Sequence, residues 1–380
     1  MIAARRGISG KSNYDVAEKT QSSGLLPSSR LRLDPVEKRI RLFEGSAFSS
    51  REPVPHFARK CALAACQVSL LTTLYITHPR GLGHDMGYGH PEQPQRLRAI
   101  EEALGAEPFQ MLLREQAARG TAEQIFRVHP ESYVRTLEEA APREGIVQLD
   151  ADTAMSTGTW EACMHAVGAA CQAVDAVMSR QAANAFVAMR PPGHHAETAT
   201  PMGFCFFNNA AIAARHAKAA HGAERVAIVD FDVHHGNGSQ EIFWNDGSVM
   251  YASTHQMPLY PGTGAKGETG AHGTIVNAPL RAGDEGEQFR DAMSSVVLKR
   301  LDAFAPDLII VSAGFDAHRR DPLAQLGLVE ADFAWATRQL LDVAEKRSGG
   351  RLVSVLEGGY DLDALGKSVA AHVSALMERI

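Results

Sequence analysis

The sequence predicts an α/β protein, a mostly parallel sheet with helices on both faces. Two observations carry this. From Thr72 onward, short β-rich apolar runs alternate with longer amphipathic stretches, the pattern of repeated strand and helix units. Clusters of ionisable residues also fall directly after several of those runs, and open α/β sheets bind ligands beyond the carboxyl ends of their strands. In chain order the strands are read at 74–77, 185–189, 226–231, 249–253, 308–312 and 352–356, and the helical stretches at 91–104, 159–178, 208–220, 286–304 and 330–347. The first of these helices opens on Pro91, which suits a first turn because it needs no backbone donor there.

A length of 380 residues allows one large domain or two ordinary ones, and 45% hydrophobic content supports a sizeable core. A formal net charge of −6 argues against direct nucleic-acid binding, which needs clustered Lys and Arg. Five cysteines (Cys61, Cys66, Cys163, Cys171 and Cys205) form no Cys-x-x-Cys pair, so neither a disulfide framework nor a thiolate cluster is expected, and a reducing, cytoplasmic location is. The apolar stretch 62–71 contains Gln67 and is too short for a membrane span.

Residues 1–71 differ in character. Arg5, Arg6, Arg30, Arg32, Arg39 and Arg41 lie among Ser, Gly and Pro with little periodicity, and Asp15, Glu18, Asp34, Glu37 and Glu44 weigh against a transit peptide. They read as a poorly ordered N-terminal extension, with the catalytic domain expected over 72–380.

The densest motif is Asp230-Phe231-Asp232-Val233-His234-His235-Gly236, directly after the apolar run 226–229. On an extended strand end, side chains two apart share a face, so Asp230, Asp232 and His234 point one way and the last two can grip a divalent ion. Asp316, after the apolar run 308–311, is the best third ligand. A single Asp at a strand end is about as often a cap or turn residue; two such motifs shift the balance towards metal.

Two Asp and one His leave coordination positions open, as a catalytic zinc requires. Such an ion lowers the pKa of bound water to about 7. The tandem His194-His195 offers two imidazoles that their partners can tune apart, with Asp230 placed to orient His194 and Asn237 to orient His195. The bland reading of the pair is one turn histidine and one helix cap. Gly358 and Gly359 permit close backbone approach before Tyr360, whose phenol can donate to a developing oxyanion, although a lone buried Tyr is more often a packing residue.

Arg190-Pro191-Pro192-Gly193-His194-His195, Gly203-Phe204-Cys205, Asp230 to Gly238, Pro261-Gly262-Thr263-Gly264, Gly314-Phe315-Asp316 and Glu357-Gly358-Gly359-Tyr360 together resemble the zinc-dependent histone deacetylase family. The similarity is closest to its class II branch and to bacterial histone deacetylase-like and acetylpolyamine amidohydrolases, and it runs in the family's order from Leu74 to the C-terminus. The resemblance implies a three-layer α/β/α, arginase-like fold with Zn2+ on Asp232, His234 and Asp316. It implies His195 as general base and then acid, His194 as its electrostatic partner, Tyr360 as carbonyl-polarising donor, and Asp230 and Asn237 behind the histidines. Class I relatives often carry Asp at the Asn237 position, so His195 is expected to be less basic here. Phe204 and Tyr260 would wall the acyl-lysine tunnel, with Gly203, Gly358 and Leu323 on the substrate side and Asp152 as a rim carboxylate. A structural K+ is implied near Asp230, Asp232, His234, Ser253 and Thr254. Gly89-His90-Pro91-Glu92 resembles the family's N-terminal signature, with Arg96 lining the interior below the metal.

The expected function is a zinc amidohydrolase that removes acetyl groups from lysine side chains of a protein or peptide. An acetylpolyamine deacetylase is the alternative; Asp321-Pro322 is followed by Leu323 where a polyamine-selective relative would place Glu, which favours lysine. A two-manganese ureohydrolase would want a further carboxylate where His235 and Gly236 stand. A non-enzymatic acyl-lysine reader would lack a ligand or catalytic group, and none is missing. Self-association into a homo-oligomer stays open.

Overall fold

Five consecutive buried residues, Val226–Asp230, form a strand whose alternate side chains enter different cores: Val226 and Ile228 join one hydrophobic cluster, Ala227 and Val229 another. A strand buried on both faces needs a covering layer on each. The computed structural model describes residues 72–378, so the extension read at 1–71 lies outside the described residues.

The strands are β1 (Thr73–Thr77), β2 (Leu113–Gln116), β3 (Ile146–Gln148), β4 (Ala154–Ser156), β5 (Asn184–Val187), β6 (Val226–Asp230), β7 (Val249–Gln256), β8 (Ile275–Leu280), β9 (Leu308–Ala313) and β10 (Leu352–Leu356). Eight of them form one sheet in the order β2-β1-β5-β10-β9-β6-β7-β8, with β3 and β4 as a separate hairpin. Every pairing in the large sheet is parallel.

The helices are α1 (Gln95–Leu104), α2 (Ala122–Phe126), α3 (Glu131–Ala140), α4 (Thr159–Met178), α5 (Asn209–His221), α6 (Asn237–Phe243), α7 (Gly286–Ala292), α8 (Leu298–Phe304), α9 (Glu330–Ser348) and α10 (Leu362–Met377). One face of the sheet is covered by α1 and α7 to α10 through Leu97, Phe289, Leu301, Phe333 and Val369. The other is covered by α4 and α5 through Ala166, Ala170, Val174, Ala210 and Ala214. This is the three-layer α/β/α arrangement the sequence led us to expect.

The differences have physical reasons. All four residues of β2 are exposed on the sheet edge, so no apolar run marks it, and Asn277 and Pro279 interrupt the pattern of β8. The stretch read as one helix at 286–304 contains a π-helical turn, Met293–Val297, between α7 and α8. β7 continues to Gln256 instead of ending at 253. Most important for function, β5, β10, β9 and β6 are adjacent, although they are far apart in sequence. The four polar motifs that follow them therefore meet at one edge of the sheet.

Candidate active site

β6 ends at Asp230, and the chain does not stay extended as expected. Instead the Asp232 amide donates to Asp230 Oδ1 at 3.1 Å and the His234 amide to Asp232 Oδ1 at 2.9 Å, two successive turns closed by aspartate side chains. From the loop after β9, Asp316 Oδ1 accepts from the Val233 amide at 2.8 Å. His234 Nδ1 consequently lies 3.2 Å from Asp232 Oδ1 and 3.1 Å from Asp316 Oδ2. The loop after β10 closes the back: the Gly358 amide donates to Asp232 Oδ2 at 2.8 Å, and a Cβ at Gly358 would sit 2.1 Å from Asp316 Oδ2. Only glycine fits there.

These three side chains suit a zinc ion. Tetrahedral zinc with bonds of about 2.0–2.1 Å separates its ligand atoms by roughly 3.3 Å, close to the spacings seen. Asp232 and Asp316 are fully buried. Burial, and then the neighbouring Asp232 charge, push Asp316 up to about 7. Burial works against charge on His234, yet Asp232 and Asp316 push it up to about 10. Two buried carboxylates facing one imidazole call for a cation.

The two histidines after β5 are held from below. Gly193 and His194 amides donate to Glu357 Oε2 at 2.7 and 3.1 Å, and burial pushes that carboxyl up to about 7. His194 Nδ1 meets Asp230 Oδ2 at 3.0 Å, while His195 Nδ1 meets Asn237 Oδ1 at 2.8 Å. Burial disfavours charge on both rings, but the outcomes diverge. Asp232 and Asp230 overcome burial at His194 and raise it well above its ordinary value. At His195 burial and the charges of His194 and His234 together hold it well below. Two rings with centroids 4.1 Å apart thus favour opposite protonation states.

Tyr360 is buried, and burial raises its phenol well above the ordinary value, so it stays a donor. Its ring lies 5.9 Å from that of Phe204 and under the Arg96 guanidinium at 4.9 Å, while the Tyr260 ring stands 5.1 Å from His195. Phe204 and Tyr260 therefore flank the histidine and the phenol. Gly203 (φ +56°) lies so close to His195 that a Cβ would be 2.4 Å from Cδ2, and Phe204 itself has φ +68°. That unfavourable backbone is held by Thr153, whose hydroxyl accepts from the Phe204 amide at 3.0 Å and donates to Asp152 Oδ1 at 2.9 Å. Leu323 donates its amide to Asp321 Oδ1 at 3.0 Å, and Asp321 Oδ2 accepts from the Tyr360 amide at 2.7 Å. Ser253 is the register partner of Asp230, and buried Thr254 Oγ1 has no hydrogen-bond partner among the described residues.

Several buried groups have partners that the sequence did not reveal. Arg96 donates to Gly359 O and Glu357 O, both at 2.6 Å. Glu92 pairs with Arg96 at 3.1 Å and, through both oxygens, with Arg190, and His84 Nε2 lies 3.2 Å away. Glu92, Arg190 and Glu357 all stand inside quoted motifs, and a charged residue within an apolar, glycine-rich motif was the available signal. A second group of ligand-type residues, Asp175, His216 and His221, reads as a hydrogen-bonded set. His216 Nδ1 must accept from Arg127 at 2.6 Å, so in the neutral ring Nε2 carries the hydrogen and donates to Asp175 at 2.7 Å.

Residues 90–376 match the model of the histone deacetylase domain. The chain is 40% identical over 277 residues to the histone deacetylase-like amidohydrolase of Pseudomonas aeruginosa, covering 72% of this chain and 73% of that protein. It is 38% identical over 299 residues to a "Probable deacetylase" of Archaeoglobus fulgidus (77% and 82%) and 38% over 326 residues to the chloroplastic histone deacetylase 10 of Oryza sativa (80% and 73%). The crystal structure of the HDA15 HD domain superposes with a TM-score of 0.77 at 36% identity, covering 82% of this chain and 89% of that one. The chain belongs to the histone deacetylase family and is a hydrolase of amide bonds.

Proposed function

We propose that this protein is a zinc-dependent deacetylase acting on acetylated lysine side chains. The observation that carries it is the meeting of Asp232, His234 and Asp316 at spacings of 3.1 and 3.2 Å beside a neutral imidazole, His195, fixed by Asn237. When bound there, zinc supplies Lewis-acid polarisation of a carbonyl and acidification of water. Asp232, His234 and Asp316 are the residues that would hold it.

The rest belongs to the chain's own residues. His195, kept neutral at its site, takes the proton of the attacking water and hands it to the leaving amine. His194, held charged by Asp230, supplies a fixed positive charge beside it. Tyr360 keeps its proton and donates to the carbonyl oxygen as negative charge develops. Phe204 and Tyr260 exclude water from the methylene chain of the lysine, and Asp152 stands at the rim to bind substrate backbone. Gly203, Gly358 and Leu323 shape the surrounding walls. The buried, unpartnered Thr254 hydroxyl beside Ser253 supports a K+ near Asp230, Asp232 and His234.

A second reading keeps the chemistry and changes the substrate. The charges of Asp152, Asp150 and Glu197 all bear on Tyr260, which would also suit the cationic tail of an acetylpolyamine. Leu323, apolar where such selectivity would use a carboxylate, favours lysine. Among the described residues no helix is long and apolar enough to cross a membrane. The site of action we propose is the cytoplasm, in keeping with three described cysteines that are free and buried. The test is zinc-dependent acetate release from an acetyl-lysine peptide and from N-acetylputrescine, with His195→Ala, Tyr360→Phe and chelator controls. Faster peptide turnover that these controls abolish supports the proposal; preference for the polyamine moves it to the second reading, and no turnover of either substrate overturns both.

A further inference from the structure

The amide of Asn237 has an accepting and a donating end, and which end faces His195 decides where that ring carries its hydrogen. Its oxygen lies 2.8 Å from His195 Nδ1. Its nitrogen donates to Glu197 Oε1 at 2.9 Å and to Met202 Sδ at 3.3 Å. A carboxylate and a thioether can only accept, so together they match both hydrogens of the amide nitrogen and turn the oxygen inward. That oxygen can only accept in turn, so His195 Nδ1 must carry the hydrogen and Nε2 is left with a free lone pair.

The surrounding loop is built to keep Glu197 in place. Its amide donates to Thr200 O at 3.1 Å, and the next residue, Thr198, donates through amide and hydroxyl to Glu241 Oε2 at 3.0 and 2.7 Å. Glu241 lies one turn along α6 from Asn237, so the helix that carries the amide also anchors the loop that carries its acceptor.

We propose that Glu197 is a positioning residue that selects the His195 tautomer through Asn237. Were the amide reversed, its nitrogen would donate to Nδ1 and the ring's hydrogen would move to Nε2, leaving no lone pair there to take a proton. This rests on the reading of His195 as general base. Glutamine at position 197 offers either an acceptor or a donor and permits both amide orientations; lysine offers only donors and forces the reversed one.

The experiment measures the imidazole tautomers of the full-length protein by long-range 1H–15N correlation with 15N-labelled histidine, the His195 signal being assigned through His195→Gln. Wild type is expected to show Nδ1–H, Glu197→Lys to show Nε2–H, and Glu197→Gln a mixture. In parallel, kcat for an acetyl-lysine peptide is expected to fall about 10–100-fold in Glu197→Lys and less in Glu197→Gln, with matching circular dichroism spectra. An unchanged His195 tautomer in Glu197→Lys overturns the proposal. A changed tautomer with His195→Ala still fully active overturns the base assignment and with it the catalytic role of Glu197, while the hydrogen-bond relay stands.

Discussion

His194 Nδ1 lies 3.0 Å from Asp230 Oδ2, a buried pair in which the carboxylate has further partners: Tyr251 donates its hydroxyl to the same oxygen at 3.0 Å. Replacing Asp230 with Asn keeps the shape and removes the charge. The His194 pKa is expected to fall, because Asp230 is one of the charges that overcome its burial. Deacetylation should drop about 10–100-fold, the usual cost of losing such a supporting group. Steady-state kinetics on the peptide substrate at saturating zinc measure this.

Gly358→Ala tests the backing of the proposed metal site. The added methyl would lie 2.1 Å from Asp316 Oδ2 and 2.6 Å from Asp232 Oδ2, so both carboxylates must shift. Zinc content after dialysis, measured by plasma mass spectrometry, is expected to fall well below one ion per chain while the far-ultraviolet circular dichroism is retained. Full zinc occupancy would refute this account of the glycine.

Among the described residues, Glu92 is the single carboxylate paired with Arg96, Arg190 and His84, all of them fully buried. Burial works against its charge, but Arg190 and His84 hold it well below the ordinary carboxylate range. Glu92→Gln leaves two buried guanidinium groups uncompensated, and such removals cost about 3–5 kcal/mol. Urea denaturation should show that loss. Because Arg96 also holds Gly359 O and Glu357 O, activity should fall even where the variant remains folded.

Acid stability should depend on buried neutral histidines. Thr337 spends its hydrogen on Phe333 O at 2.7 Å and so accepts from His372 Nδ1 at 2.6 Å, while Ser354 donates to His372 Nε2 at 2.9 Å. Burial lowers this imidazole to about 3, whereas in the unfolded chain it takes a proton near pH 6.5. Between those values the unfolded state binds more protons, so stability is full above about pH 6.5 and falls as pH falls, by about 1.4 kcal/mol per pH unit for one such group. His129, lowered by burial to about 4, adds to the slope. His372→Gln should flatten the dependence of denaturation midpoint on pH between 6 and 4 relative to wild type.

The sequence by itself determined the elements and the chemical types at their ends. Apolar runs announced β5, β6, β9 and β10, and Asp232, His234 and Asp316 were readable as candidate ligands because donor chemistry, and for the first two local spacing, are properties of the covalent chain. Less was readable where neither applies: exposed β2 carries no apolar run, and the bend after Asp230 replaces the extended strand end that alternation suggested. Tertiary structure alone decided the rest. The adjacency of β5, β10, β9 and β6 follows from packing helices on both faces of the sheet, not from chain order. Arg96 reaches Glu357 O across 261 positions of sequence, and the orientation of the Asn237 amide depends on an acceptor 40 positions away. Local geometry fixes which groups a loop presents, whereas burial, partner charge and hydrogen-bond direction exist only once distant segments share one interior, and those set the states of His194 and His195.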